Sequence, residues 1–386
     1  MGYVFRTDTQ QAAIEGLRRH LRERVDPLFT GPYRDSALIP RSAMVELTRD
    51  LAEYGFPAGA VPQDAGGLGL DFLTLTMLFE QIAQCSLDLS TVVLLNSFGA
   101  RVLAAKAPMA LRERYLPELL RGELFCSMAF SEPQAGSNVA EIRARAERDG
   151  DHYLLRGEKT WITNASYSDL LICTVRTSDD PRHGLTHLLL DRREQPYQVR
   201  EIEKIASNAQ STAQVVLDGL RVPVAHRLGE EGDALRNSLA IFEQSRIFVA
   251  AQGLGLGARA LDEAVGYAQI RRQHGKLIAA HQLIAAMLAE MATQVDAARL
   301  LTYRAAAMVD AGLPAEMEAA MAKYHACEAA VAVARQAVQI HGGNGLTKAY
   351  LVERLVREAL IVPIPEGTTQ IQQLVIARAL TGISAI

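Results

Sequence analysis

A chain of 386 residues, 49% hydrophobic and 22% charged, has the make-up of an ordinary globular protein with room for more than one domain. Its formal net charge of -4 and pI near 6.2 exclude a basic nucleic-acid-binding surface. Cys85, Cys126, Cys173 and Cys327 are widely spaced with no CxxC pair, which excludes a disulfide framework or a zinc site and reads as buried free thiols of a reducing compartment. The first residues carry no basic-then-apolar signal. Thr7 falls one place late for a myristoylation motif, and no uncharged apolar run reaches the roughly 18 residues of a membrane span. The expectation is a cytoplasmic protein that contacts neither membrane nor nucleic acid.

Apolar positions recur every three or four residues from Leu73 to Ile82 and from Leu111 to Leu120, predicting helices. A glycine-rich loop, Pro62 to Leu70, interrupts them. Short apolar runs then appear at Tyr153–Leu155, Leu170–Val175, Thr186–Leu190 and Gln214–Leu217. The turn signals Asp149-Gly150-Asp151, Asp179-Asp180-Pro181 and Asp218-Gly219 separate them, predicting antiparallel strands. Helices return from about residue 231, where Ile284, Met287, Met291, Val295, Ala298, Leu301, Ala305 and Met308 form one buried stripe. Strands and helices are segregated, which argues against a doubly wound sheet. The expected fold is mainly α with a central β-domain: a helical domain at 1–125, a β-barrel-like domain at 126–230 and a helical bundle at 231–386.

Five clusters carry residue types suited to chemistry. Phe130-Ser131-Glu132-Pro133-Gln134-Ala135-Gly136-Ser137-Asn138 offers hydroxyls and backbone N–H groups to a flat polar ligand, or is a plain turn. Lys159-Thr160-Trp161-Ile162-Thr163-Asn164 places the single tryptophan between two threonines on a strand, where one face can present a ring beside a hydroxyl. Arg271 to Lys276, with Gln282 beyond, suits a pyrophosphate, or is a solvated basic helix end closed by Gly275. Gln339-Ile340-His341-Gly342-Gly343 lets backbone approach a ligand, but it follows a helix, so it is not a dinucleotide fingerprint. Finally, Pro363-Ile364-Pro365-Glu366-Gly367-Thr368-Thr369-Gln370 pins a carboxylate on a proline-stiffened loop, with Thr368 capping a helix over Ile371 to Ala379. That carboxylate is either a first-turn acid answering the helix dipole or a positioned base. HExxH, GxSxG and Walker-type motifs are missing from the sequence, and its histidines lack metal-ligand spacing, so no metal is expected; His274 and His341 read as packing or hydrogen-bonding residues.

In this order and spacing the five clusters resemble the acyl-CoA dehydrogenase family of flavoproteins over essentially the whole chain. The resemblance implies an α–β–α fold, FAD as cofactor and a homo-oligomer, usually a tetramer, in which a neighbouring subunit completes each flavin site. It implies that Phe130, Ser131, Trp161 and Thr163 line the flavin ring, with Thr163 near its N5 edge, and that Gly136 and Ser137 lie between flavin and substrate. Arg271, Gln282, Gln339, Ile340, His341, Gly342 and Gly343 would reach the partner's FAD, and Thr368 and Gln370 would close the site. Phe242, Glu243, Arg246, Ser137 and Gly367 would meet an acyl-CoA or acyl-carrier-protein thioester.

Glu366 would remove the α-proton, and an electron-transfer flavoprotein would take the electrons. Some relatives carry their base directly before the arginine that Arg246 matches; here that residue is Ser245, which cannot serve. The resemblance leaves three further readings: a biosynthetic acyl-carrier-protein dehydrogenase of unusual regiochemistry, a flavin-dependent oxidase or monooxygenase of the same fold, and a non-enzymatic flavin protein. Pro365 stands where many relatives have an aromatic residue, so an unusual acyl group or an altered pocket is expected. His274, Gln134 and the arginine-free segment Lys204 to Ala209 also depart from the common pattern.

Overall fold

The computed structural model describes residues 6–181 and 183–385. Helices come first: α1 (Asp8–His20), α2 (Asp26–Thr30), α3 (Arg41–Asp50), α4 (Phe72–Cys85), α5 (Leu87–Lys106) and α6 (Met109–Leu120). Their starts are written locally. Thr7 and Gln10 form a capping box ahead of α1, Asp71 caps α4 and Ser86 caps α5. Helix α5 is long and apolar enough to cross a membrane, yet most of it is buried in the fold. A helix apolar on every side belongs in a core, and α5 is one.

The strands are β1 (Cys126–Ala129), β2 (Arg145–Asp149), β3 (His152–Thr163), β4 (Leu170–Arg176), β5 (Leu185–Asp191), β6 (Gln198–Glu201), β7 (Thr212–Pro223) and β8 (Arg227–Leu228). They form one sheet in the order β6-β7-β3-β2-β4-β5-β8, with β1 added beside β4. The four predicted strands fall inside β3, β4, β5 and β7. Strands β2 and β6 carry no apolar run that could announce them. Pairing is mostly antiparallel, as expected, but β1 runs parallel to β4.

Helices α7 (Ala234–Ala268), α8 (Gln282–Asp310), α9 (Glu316–His341), α10 (Val352–Ala359) and α11 (Thr369–Thr381) complete the chain. Helix α7 has 35 residues, so it is about 52 Å long. The expected stripe on α8 is buried at Met291, Val295, Ala298 and Ala305 and half-buried at its remaining positions. The two helical zones share one hydrophobic core, and the sheet has a second of its own. Three of the free thiols are buried as expected, while Cys85 is only half-buried.

One local expectation fails. The basic segment after α7 is not a helix end closed by glycine but a hairpin of β9 (Arg272–Gln273) and β10 (Lys276–Leu277). His274 (φ 48°) and Gly275 (φ 75°) make its turn, and two successive left-handed residues favour a tight two-residue hairpin.

Candidate active site

Glu366 sits between α10 and α11, where Thr368 caps α11 by accepting from the Ile371 N–H. Glu366 and Gly367 both have left-handed backbones, with φ of 57° and 88°. The φ of 88° favours glycine at 367, where a Cβ would also crowd Gln372 Nε2 at 2.7 Å. A non-glycine residue held left-handed costs energy and persists only where its surroundings fix it. Those surroundings are visible. Lys323 on α9 is 1% exposed, and its ammonium donates to the carbonyls of Pro363 (3.2 Å) and Gly367 (2.5 Å), straddling Glu366. Gln372 Nε2 donates to the carbonyls of Gly367 at 2.7 Å and Glu366 at 3.4 Å.

The Glu366 carboxylate turns toward α7 and accepts a hydrogen bond from Ser245 Oγ at 2.6 Å. Burial pushes this carboxyl above the usual carboxylate range; the Ser245 bond and the charges of Lys323 and Arg246 pull back without cancelling the rise. Burial pulls the Lys323 ammonium down in turn. The Glu366 backbone N–H donates to no group among the described residues and is free for a ligand oxygen. Arg246, one residue beyond Ser245, is buried with its Nε unpartnered. Glu243 stands half-buried on the same helix and adds its charge to the surroundings of Arg246.

Opposite this loop the sheet supplies aromatic walls. The Phe130 ring at the end of β1 lies 5.2 Å from Phe242 of α7 and 5.7 Å, edge-on, from His187. Ser131 is tied to β3 through its carbonyl, which accepts from the Thr160 N–H at 2.9 Å. Trp161 follows at a β-bulge with φ 61° and remains 59% exposed, and Thr163 ends the strand half-buried. Gly136 and Ser137 stand on the exposed part of the loop, and a Cβ at Gly136 would meet nothing within 4 Å.

Sequence reasoning passed over the pair that fixes this wall. Glu132 and Lys159 form a buried ion pair at 2.8 Å, and Lys159 also donates to the Phe130 carbonyl at 3.0 Å. Burial alone would push the Glu132 carboxyl up, but Lys159 and the N–H groups of Arg143 and Ala144 hold it below the usual range. An acid in one motif and a base in the next was the available signal.

The remaining expected residues lie elsewhere in the same chain. Arg271 and Gln282 are exposed beyond the far end of α7, as are Gln339, Gly342 and Gly343 at the end of α9. Ile340 and His341 turn inward; the His341 ring stacks on Tyr267 at 4.1 Å. Ser245 and Ala268 are separated by about 35 Å of helix, so this group cannot share a site with Glu366 of its own chain. Gln370 is exposed on the first turn of α11. No cluster of three or more metal-ligating side chains occurs among the described residues.

The chain matches the models of the acyl-CoA dehydrogenase N-terminal domain over residues 7–123, middle domain over 127–220 and C-terminal domain over 235–381. The chain belongs to the acyl-CoA dehydrogenase family. It is similar to an acyl-CoA dehydrogenase of Bacillus subtilis, 36% identical over 87% of this chain and 90% of that one. It is also similar to the caffeyl-CoA reductase-Etf complex subunit CarC of Acetobacterium woodii, 35% identical over 86% of this chain and 88% of that one. Among solved structures, butyryl-CoA dehydrogenase from Megasphaera elsdenii superposes with a TM-score of 0.92 at 30% identity, covering 98% of this chain and all of that one. The fold is thus the dehydrogenase fold, and the protein is an oxidoreductase of the acyl-CoA dehydrogenase type, acting on acyl thioesters in a family that uses FAD.

The chemistry of these residues suits a flat heterocycle. An exposed indole at a strained bulge, a hydroxyl at Thr163 and an open approach over Gly136 are features that a buried structural loop would not keep.

Proposed function

We propose that this dehydrogenase oxidises an acyl-CoA or acyl-carrier-protein thioester to its 2-enoyl form, with Glu366 as the base that removes the α-proton. The observation that carries this reading is the Glu366 carboxylate itself. It is lifted above the usual carboxylate range by burial, aimed by Ser245, and held on a loop that Lys323 fixes at two carbonyls. A base works best with a pKa near the working pH, and a thioester α-proton needs its enolate stabilised as it leaves. The free Glu366 N–H is a donor available to the thioester oxygen.

Phe130, Ser131, Gly136, Ser137, Trp161 and Thr163 hold FAD in this reading, with Thr368 and Gln370 at the edge of the site. FAD, when bound, takes the β-hydride. Phe242 and Arg246, with Glu243, Ser137 and Gly367, orient the acyl group and its carrier arm. Because Arg271, Gln282 and the Gln339 to Gly343 turn lie beyond the end of α7, which is about 35 Å along the helix from Ser245, they serve the flavin of a partner subunit in a homo-oligomer, a tetramer in this reading. An electron-transfer flavoprotein takes the electrons, and free thiols suit a cytoplasmic setting.

The test is anaerobic bleaching of bound flavin by a panel of CoA- and carrier-linked acyl thioesters. At least one thioester is expected to bleach the wild type, and Glu366→Gln is expected to slow bleaching on the order of 10²–10⁴-fold. Undiminished bleaching in that variant sinks the assignment of Glu366. A flavin that no thioester bleaches but oxygen reoxidises with another donor turns the reading toward an oxidase.

A further inference from the structure

A cavity of about 500 Å³ lies between the C-terminal half of α5, the first turns of α7 and the loop at residues 60–65. Phe98, Val102 and Ile241 give it apolar walls. Four of its lining residues also carry a polar atom that is sealed from solvent and has no partner: Arg101 Nη1, Arg112 Nε, Asn237 Nδ2 and Gln244 Oε1. Buried polar atoms are almost always bonded, so these four, on half-buried side chains around one cavity, leave hydrogen-bonding capacity there that this chain does not use.

Arg101 decides what kind of ligand suits it. Its guanidinium lies 5.9 Å from the centre of the Phe72 ring and 5.8 Å from that of Phe98, and it forms no ion pair or hydrogen bond with a carboxylate among the described residues. Burial pulls it down to about 10, with no neighbouring acid to oppose the shift. Arg101 is half-buried, and a partly desolvated cation with no anion beside it is stabilised by a ligand that supplies one. Of the other charged groups that line the cavity, Lys106 and Arg112 are positive and Asp64, which is exposed, is the single acid.

The cavity borders the active site. His187, in its wall, is edge-on to Phe130, and Ile241 and Gln244 flank Phe242 and Ser245 on α7.

We infer that this cavity is an oxyanion-binding subsite in which Arg101 pairs with a carboxylate or phosphate of the ligand. A planar guanidinium binds either group through two parallel hydrogen bonds, and the Asn237 amide and Arg112 N–H are further donors for the same oxygens. Gln244 Oε1 remains as an acceptor for a ligand N–H or O–H. Two sources share this chemistry: a second carboxylate on the acyl group, or a phosphate of the thioester's carrier. The role in turnover rests on the dehydrogenase reading above; the binding itself does not.

The test uses the purified flavoprotein and three probes: glutarate, inorganic phosphate and neutral glutaramide, each followed by titration calorimetry and by thermal unfolding. At least one oxyanion is expected to bind and raise the unfolding temperature, while glutaramide does neither. Arg101→Gln should weaken that binding at least about tenfold, the scale of a lost charge-assisted bond. Arg101→Lys, which keeps the charge but not the planar fork, should also weaken it and stands in if the glutamine variant does not fold. Tighter glutarate binding assigns the site to an acyl carboxylate; tighter phosphate binding assigns it to the carrier. If neither oxyanion binds the wild type, or both bind Arg101→Gln equally well, the inference is overturned. Failure of the dehydrogenase reading would appear elsewhere, as a flavin that no thioester bleaches.

Discussion

Glu366 shows how a carboxylate becomes a candidate base through neighbours distant in sequence. Burial raises its pKa, and one hydroxyl and two cations limit the rise. Activity needs the carboxylate form, so the rate should climb with pH through this raised value and fall away below it. Ser245→Ala removes a donor to the charged form, so the acidic limb of the kcat profile should move up by about one to two pH units; an unmoved limb would show that the Ser245 bond does not tune the base. Lys323 is a positioning residue. Lys323→Met deletes both carbonyl bonds and a nearby positive charge, so kcat should fall on the order of 10–100-fold with a smaller change in KM, and the acidic limb should again move up. A purely structural role would lower the folded fraction and leave the profile in place. From sequence, Glu366 could be singled out because prolines and Gly367 bracket it. Ser245 was set aside as unable to act as a base, and its actual bond spans 121 residues that no local pattern connects.

At the level of elements, helix signals in the sequence were strong and the packing between helices was silent. Helix α7 contains Gly253, Gly255 and Gly257, a run that local propensity reads as weak helix. Tertiary contact explains two of them. A Cβ at Gly253 would lie 2.9 Å from the Ala326 carbonyl on α9, and one at Gly255 would lie 2.6 Å from the Gln84 backbone N on α4. The glycines let α7 lie against both helices at once. Gly255→Ala is therefore expected to cost about 1–3 kcal/mol of stability, read as a lower denaturant midpoint, whereas an exposed mid-helix glycine would gain from the same change. The predicted strands were legible where apolar runs were continuous. Polar β2 and β6 form because β3 and β7 offer them hydrogen-bonding edges, which is not a property of their own residues. The His274-Gly275 turn was readable as a breaker, but not as a hairpin.

Across the whole molecule, one buried acid joins all three zones. Asp88 at the start of α5 accepts from Ser207 Oγ and the Gln210 N–H beside the sheet, and pairs with Arg354 of α10 at 3.0 Å. Arg354 in turn donates to the Phe29 carbonyl of α2 and pairs with Glu358. Such a network fixes how the sheet and the helices meet, and so where Phe130 stands relative to Glu366. The second cluster, around Arg271, belongs to a different scale. Arg271→Ala should leave the protomer folded, with an unchanged circular dichroism spectrum, yet release flavin when the protein is diluted and passed through gel filtration. Full flavin retention in that variant would remove Arg271 from the cofactor site.

The sequence by itself determined the order of helical and strand zones, the loop that bears Glu366 and the Phe130 and Trp161 motifs. These rest on local periodicity, capping and turn chemistry, which neighbouring residues carry. Only the tertiary structure decided that Ser245 and Lys323 hold the Glu366 carboxylate and its loop, that Lys159 and Glu132 brace the Phe130 wall, and that the Arg271 cluster lies too far away to share a site with Glu366 of its own chain. Those outcomes depend on burial and on contacts between residues far apart in the chain, quantities that exist only once the helices have packed.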